Sequence, residues 1–472
     1  MVSRLHLLLL LLAIFIQQTI TNCQIVKTPS YHVEVGSSAS VGDETPFWLI
    51  SNRYGLISPN KYNSWLKAGF KTSLNKTKPI DFDYGLDLVN RYDNRNKLYF
   101  NEGYARLKLW FINIQAGSKE EKFGNQDSSL SSGGLLWSGN ARPMPKIAIY
   151  VPNFTAIPFT KGYFEFKGGI SHGWFGDQPF AKNYYLHHKY GYIRFGGKLP
   201  VHLSYGMHHF AQWGGESSNF GKQPETLKDF VKIFFAKGGG SSAAPGDIVN
   251  RLGNHLGSRN FGLDIDFRDY KTGIYWQTIF EDGSGKAYRN ISDGLWGIYL
   301  RSSDKHNLIT GLVYEFIKTT NQSGPYNLNP TDPSDTHEYG GNDNYFNHWV
   351  YQAGWTYDNM TIGTPLITSP AVLHGDPVEY IRNNKVIAHH FAFEGVYNHL
   401  VYKLFYTYSL NYGTNYYPFS AFKSQHSVML HTNLVNTLPW GIDLNVTLGM
   451  DKGKMYGNNV GIMISLVKSG NF

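Results

Sequence analysis

The sequence has 472 residues and a formal net charge of +8, with 43 Lys and Arg against 35 Asp and Glu. The basic excess is dispersed among acidic residues and never gathers into blocks, which makes nucleic acid a poor partner. A single cysteine, Cys23, leaves no pair to staple the fold, and beyond the first two dozen residues no run of 18 apolar residues exists to cross a membrane as a helix.

The chain opens with basic Arg4 and His6, an apolar run from Leu7 to Ile16, polar Gln17 and Gln18, and small residues around Thr19 and Thr21. This is the pattern of a secretory signal peptide over residues 1–23, its apolar core too short to span a bilayer of ~30 Å. Cleavage near Thr21 or Cys23 is expected. Acylation of Cys23 is the alternative, although Asn22 fits poorly the small residue expected before a lipidated cysteine.

The remainder is rich in aromatics, with 33 Tyr, 30 Phe and 11 Trp, and holds 50 glycines. Rings at headgroup level and glycines at turns and strand kinks suit a membrane β-barrel. The competing class is a soluble all-β propeller or sandwich, and strand length separates the two. At residues 260–270, Phe261, Leu263, Ile265 and Phe267 alternate with Gly262, Asp264, Asp266 and Arg268. The same period of two runs through residues 81–90, 104–111 and 441–450, and recurs near 31–41, 162–170, 188–198, 201–210, 294–301, 348–358, 388–397, 401–412 and 425–435. The best of these runs have the ~9–11 residues that a tilted strand needs to cross a membrane, against ~5–6 for common soluble strands. The expected fold is therefore all-β: a transmembrane antiparallel barrel of about 16–18 strands over residues 24–472.

Several segments break this rhythm. At residues 45–58, Pro46 after Thr45 fits a helix start and Gly55 a helix C-cap, predicting a short helix that plugs the periplasmic end or the lumen. At residues 224–257, Leu227, Phe230, Val231 and Phe234 lie at i, i+3, i+4 and i+7, and Ile248, Leu252 and Leu256 continue the spacing. This predicts a helical loop at the barrel mouth or in the lumen. Residues 319–347 and 364–385 read as long polar extracellular loops. At the C-terminus, Val460, Ile462, Ile464 and Leu466 share one face and Phe472 falls on the same parity. A last strand ending in phenylalanine resembles the signal read by the barrel-assembly machinery, which makes Phe472 the candidate assembly residue.

Chemical motifs are few. Gly169-Ile170-Ser171-His172-Gly173 matches G-x-S-x-G, but no helix follows it, and adjacent Ser171 and His172 on a strand would face opposite ways. The same divergence applies to the pairs His187-His188, His208-His209 and His389-His390. No HExxH, P-loop or GxGxxG occurs. The expectation is a protein that is not an enzyme, with no catalytic residues, no metal site and no cofactor. The +8 charge is compatible with acidic glycans or lipopolysaccharide phosphates as partners, and equally with solubility alone.

Residues 130–159 stand apart, reading LSSGGLLWSGNARPMPKIAIYVPNFTAIPF. Glycines and prolines frame Trp137, Asn140 and Arg142. An exposed Trp, Asn and Arg can bind sugar, the ring stacking on an apolar sugar face while the amide and guanidinium reach hydroxyls or carboxylates. The other reading is a lumen turn with an internally paired arginine. The run LSSGGLLWSGNARPMPK, the following VPNFTAIPF, GGISHGWFGD at 168–177 and TPFWLISNRYGLIS at 45–58 resemble the Bacteroidetes branch of the capsule assembly Wzi family. That resemblance implies an 18-stranded outer-membrane barrel that binds capsular polysaccharide and helps hold it at the cell surface. Enterobacterial members carry a small periplasmic helical bundle, for which this chain has little sequence before its first strand. No sugar-contacting residue of the family maps onto a position here.

The sequence therefore points to a non-catalytic, lectin-like outer-membrane barrel in capsule assembly or attachment. Its expected partners are surface polysaccharide, lipopolysaccharide and outer-membrane lipid, and the assembly machinery. A porin or substrate transporter is the alternative, and an outer-membrane hydrolase the third reading.

Overall fold

The computed structural model describes residues 27–281, 283–324, 341–375 and 378–472. The expected signal peptide, Cys23 with its alternative lipid anchor, and residues 325–340 of the first polar loop lie outside them.

Eighteen long strands form one closed antiparallel barrel. They are β1 Ser30–Val41, β2 Tyr62–Lys71, β3 Ile80–Tyr92, β4 Asn96–Leu109, β5 Ile112–Ser118, β6 Lys146–Ala156, β7 Phe164–Gln178, β8 Ala181–Phe195, β9 Val201–Trp213, β10 Asn254–Phe267, β11 Tyr270–Gln277, β12 Gly294–Ser302, β13 Gly311–Lys318, β14 Val386–Tyr397, β15 Leu400–Gly413, β16 Pro418–Leu438, β17 Ile442–Gly453 and β18 Asn459–Asn471. Closure comes from β1 against β18, in unbroken register from Ser30↔Asn471 to Val41↔Val460. A closed sheet leaves no strand edge unpaired, the condition for crossing a bilayer as β-structure.

Alternation sorts side chains between lipid and lumen. On β18, Val460, Ile462, Ile464 and Leu466 are exposed on the outside, while Met463 and Ser465 between them are buried inside. Leu444 and Leu466 are partners across β17 and β18 and share that outer face. Inside, β3 carries Asp81, Asp83 and Asp87, each engaged by a cation: Lys27, Arg106 and Lys67, respectively. Buried carboxylates without such partners would not stay ionised.

The two ends of the barrel differ. On the side of both termini the links are short. Leu109 to Ile112, Phe267 to Tyr270 and Tyr397 to Leu400 are two-residue hairpins, whose first residues Trp110, Arg268 and Asn398 take φ of 52°, 50° and 53°. Such left-handed turns match strand twist. Long links occupy the other end: residues 42–61, 119–145, 214–253, 278–293 and 319–385. Short periplasmic turns and long outer loops are the rule for outer-membrane barrels, so the long-link end faces the cell exterior.

Four expectations need correction. The 45–58 helix, α1, is only Phe47–Ile50, with Pro46 as its N-cap, and it enters from the long-link end, not the periplasmic one. Asn52, Tyr54 and Gly55 adopt positive φ, which turns the chain out of helix, and the first helical N–H is satisfied by Asp451 of the wall at 2.8 Å. In the second helical region α2 spans Leu227–Phe234, capped reciprocally by Thr226 and Asp229, and α3 spans Pro245–Val249. Leu256 belongs to β10, where pairing with Phe210 overrides its helical spacing. Residues 348–358 form no barrel strand. Their alternation reflects a loop core in which Val350, Tyr351 and Trp355 are buried, and the only pairing is a small ribbon of Thr356–Tyr357 with Met360–Thr361. The two loops read as polar and extracellular are parts of one link, which turns inward and buries Phe346, Ile367 and Ile381.

Candidate functional site

Three links fold into the lumen as a plug: residues 42–61, 119–145 and the described part of 319–385. Their apolar residues, among them Trp48, Leu135 and Trp355, join wall residues such as Phe210 and Phe405 in one buried cluster. Each fully buried large side chain contributes roughly 1.5–3 kcal/mol. Polar residues of the wall fix the plug's orientation. Glu315 accepts hydrogen bonds from the Ser131 hydroxyl at 2.6 Å and the Ser132 N–H at 2.7 Å, and a further one from the Tyr275 hydroxyl at 2.6 Å. Gln277 accepts from the Leu135 N–H at 2.9 Å, and the Trp48 indole donates to Thr407 at 3.2 Å.

The three sequence-derived sugar candidates lie in this plug. Trp137 is buried. Its ring lies parallel to Phe210 at 5.8 Å and edge-on to Phe123 at 5.4 Å, and its N–H donates to the Glu121 carbonyl. Asn140 is 1% exposed, and its amide donates to the Thr361 carbonyl and hydroxyl and to Ser369 at 3.0–3.1 Å. The exposure required of both is thus absent: Trp137 packs its plug segment against the wall, and Asn140 ties that segment to the 319–385 link. Arg142 keeps an open edge at the long-link rim: it lies 4.1 Å over Tyr99 and 3.3 Å from half-exposed Asp358. Phe472 sits at the barrel seam, its ring 5.2 Å from Tyr31 and its N–H on the Pro29 carbonyl. The GISHG run lies inside β7, with Ser171 toward the lumen and His172 outward against Tyr185 and Trp213. Among the described residues no group of three or more His, Cys, Asp or Glu is placed to hold a metal ion.

Beneath the plug the lumen opens. A cavity of about 270 Å³ is framed by β4, β6, β7, β8 and β9 together with residues 119–124. Arg106 and Lys119 also border a second space of about 640 Å³, which reaches the periplasmic turns through Asn75 and Trp110. Together they form a vestibule on the periplasmic side. Its walls are basic and aromatic because the lumen parity of these strands carries both kinds of residue: Lys167 and Ser171 on β7, Tyr190, Tyr192 and His188 on β8, Lys146 and Tyr150 on β6.

Most of these cations are compensated. Arg106 makes a two-pronged pair with Asp83 at 2.5 and 2.8 Å, Lys119 faces Glu102 at 3.7 Å, and Lys146 pairs with Glu121. Burial, reinforced by Lys403, pulls Lys122 below the ordinary lysine range. Lys167 differs. It lies 4.5 Å over the Tyr192 ring and 4.8 Å over Phe154, and no carboxylate stands within ion-pairing distance among the described residues. His188 and Tyr190 stack with His208, and the Tyr192 hydroxyl meets His208 at 2.7 Å, so these rings are held rigid. An uncompensated ammonium beside fixed ring faces can hold an anionic sugar, the cation on its acidic group and the rings on its apolar face. Sequence reasoning missed Lys167 and its neighbours because the register that gathers them is not written in any one strand. Their shared lumen parity was the available signal.

A family model described as capsule assembly protein Wzi matches residues 24–368. Among solved structures, Wzi of Escherichia coli, described as a carbohydrate-binding β-barrel involved in group 1 capsule assembly, superposes with a TM-score of 0.59 at 14% identity, covering 92% of this chain and 84% of that one. OpdL of Pseudomonas aeruginosa gives a TM-score of 0.48 at 9% identity, covering 95% and 99%. OprD of the same organism gives 0.46 at 10%, covering 95% and 96%. No curated protein matches the chain.

Proposed function

The chain belongs to the capsule assembly protein Wzi family, and on that premise we propose that it acts without catalysis in assembling or attaching capsular polysaccharide at the outer membrane. The carrying observation is the periplasm-facing vestibule, where Lys167 stands uncompensated beside Tyr192, closed off above by a plug bonded into the wall. An acidic polysaccharide segment fits this chemistry. Arg142, at the outer rim, is the one of the three sequence candidates with an edge free to meet sugar, while Trp137 and Asn140 support the plug. We assign residues 1–23 to the export signal and Phe472 to assembly-machinery recognition on the same footing as the sequence argument. The plug weighs against a porin or transporter.

The test is genetic. Cells lacking the protein should still synthesise capsule but release more of it into the medium. The defect should be restored by the wild-type gene and not by one carrying Lys167→Ala. Capsule retained normally without the protein would contradict the reading.

A further inference from the structure

The 214–253 link touches the plug near its start, where the Ser217 hydroxyl donates to the Val350 carbonyl at 2.8 Å and the Tyr351 hydroxyl to the Gly214 carbonyl at 3.1 Å, but its helix α2 lies against the outside of the wall. Counting by twos from exposed Ile193 puts Lys189 and His187 of β8 on the outer wall, and counting from exposed Tyr205 puts His209, Ala211 and Trp213 of β9 there. His255 of β10 is on the same face by its parity with Leu263. All but the partly exposed Lys189 are nevertheless buried, and α2 is their cover. Phe230 and Phe234 each pack 5.4 Å from His187, and Phe230 lies 5.6 Å from Trp213. His209 and His255 are hydrogen-bonded at 2.8 Å beneath this cover. Polar groups turned toward lipid are costly, so a helix laid over them stabilises the wall.

With Phe230, Ile233 and Phe234 facing the wall, α2 turns a second apolar stripe outward. Leu227, Val231 and the helix-ending Phe235, at i, i+4 and i+8, are 81%, 47% and 63% exposed, and Ile248 of α3 adds to the patch. Cations flank it. Lys189 donates to the Phe234 carbonyl and its ammonium lies 6.0 Å from the Phe235 ring, with the Lys237 ammonium 5.9 Å from the same ring. Neither lysine has a carboxylate within ion-pairing distance among the described residues. From Phe195 at the periplasmic end of β8 to His187 the wall climbs roughly 20 Å, at ~3.3 Å per residue and ~40° tilt, which brings α2 near the top of an apolar band ~25 Å tall.

We propose that α2, with Lys189 and Lys237, is an interfacial docking site for a phosphate-bearing lipid of the outer leaflet. The exposed stripe continues the lipid-facing surface of Tyr205 and Met207 upward, which argues for lipid as its occupant. The two uncompensated ammonium groups beside Phe235 complement a headgroup phosphate at the depth where headgroups lie. A second copy of the chain would gain nothing from those like charges.

The test uses the full-length protein in nanodiscs of phosphatidylcholine containing phosphatidic acid. Native mass spectrometry counts the lipids retained as detergent strips them. Wild type should retain phosphatidic acid preferentially. Lys237→Gln, whose ammonium holds nothing in the fold, should weaken the preference about fivefold, and Lys189→Gln with Lys237→Gln about 25-fold. Lys189→Arg should restore what Lys189→Gln loses. Leu227→Ser with Phe235→Ser should lower retention of both lipids. Equal retention of the two lipids by wild type, or a preference untouched by Lys237→Gln, overturns the proposal. So does displacement of the lipid by inorganic phosphate alone, or a dimer that the serine variants abolish while lipid retention stands.

Discussion

Trp137 and Lys167 show how differently two side chains can stand toward one lumen. Trp137 fills space inside the plug, so Trp137→Ala should cost about 3–5 kcal/mol of stability through lost contacts and a cavity. Arg142→Ala gives up a partly exposed ion pair, a long hydrogen bond to the Phe100 carbonyl and its seat over Tyr99, and should cost about 1–2 kcal/mol. Denaturant unfolding from detergent, followed by heat-modifiable migration on a gel, ranks the two. Equal losses would mean that Arg142 is as structural as Trp137. Lys167 bears no ion pair, so Lys167→Ala should cost only the contacts over Tyr192 and Phe154, about 1–2 kcal/mol at most, and weaken retention of an acidic polysaccharide such as alginate by about tenfold or more, the worth of a charge-assisted hydrogen bond. Retention of a neutral glucan should not follow. A loss of stability as large as that of Trp137→Ala would return Lys167 to the wall.

Among the elements, the plug and the neighbouring α3 carry groups whose hold depends on pH. Burial, with His255 nearby, drops His348 from 6.5 to about 3, and its Nδ1 accepts from the Val350 and Tyr351 N–H groups. Its folded value lies below the unfolded one, so its contribution is complete above about pH 6.5 and drains away as pH falls toward 3, reaching up to about 2 kcal/mol by pH 5. Asp247 on α3, pushed up to about 6 by burial, acts in the opposite sense: its stabilising share is present at low pH and lost as pH rises from about 4 to 6. Protection factors over residues 345–360, each exchange rate being divided into the intrinsic rate at its own pH, should therefore fall between pH 7 and 5 more steeply in Asp247→Asn than in wild type, and stay flatter in His348→Asn. Protection in 345–360 of Asp247→Asn that does not change with pH would refute the assignment. Local patterns explain which elements the sequence revealed. The alternation at 260–270 and 441–450 marks β10 and β17 because each long strand carries its own two faces. Residues 348–358 alternate as well, yet they form loop core, because period two records burial on one side and not the presence of a neighbouring strand. The link between Asn140 and Thr361 joins segments far apart in the chain, and the vestibule depends on register across five strands. Neither relation leaves a mark within any short window.

At the scale of the whole molecule, the described residues divide the barrel into a lipid band, an outer half filled by the plug and a periplasmic half with open space. Leu263 and Leu444 share the outer parity, with Leu263 lining an apolar hollow of the outer wall and Leu444 paired with exposed Leu466. Leu263→Arg or Leu444→Arg should cost ~2–4 kcal/mol if the site lies at midplane, read as reduced folded protein in the outer membrane. Unimpaired insertion of both would reverse the assignment of faces. The division also separates a glycan-handling barrel from a diffusion channel, and one paired measurement decides between them: planar-bilayer conductance and acidic-polysaccharide retention on the same purified preparation. The account predicts retention, weakened by Lys167→Ala, with no large steady conductance. A large steady conductance with no retained polysaccharide would contradict it.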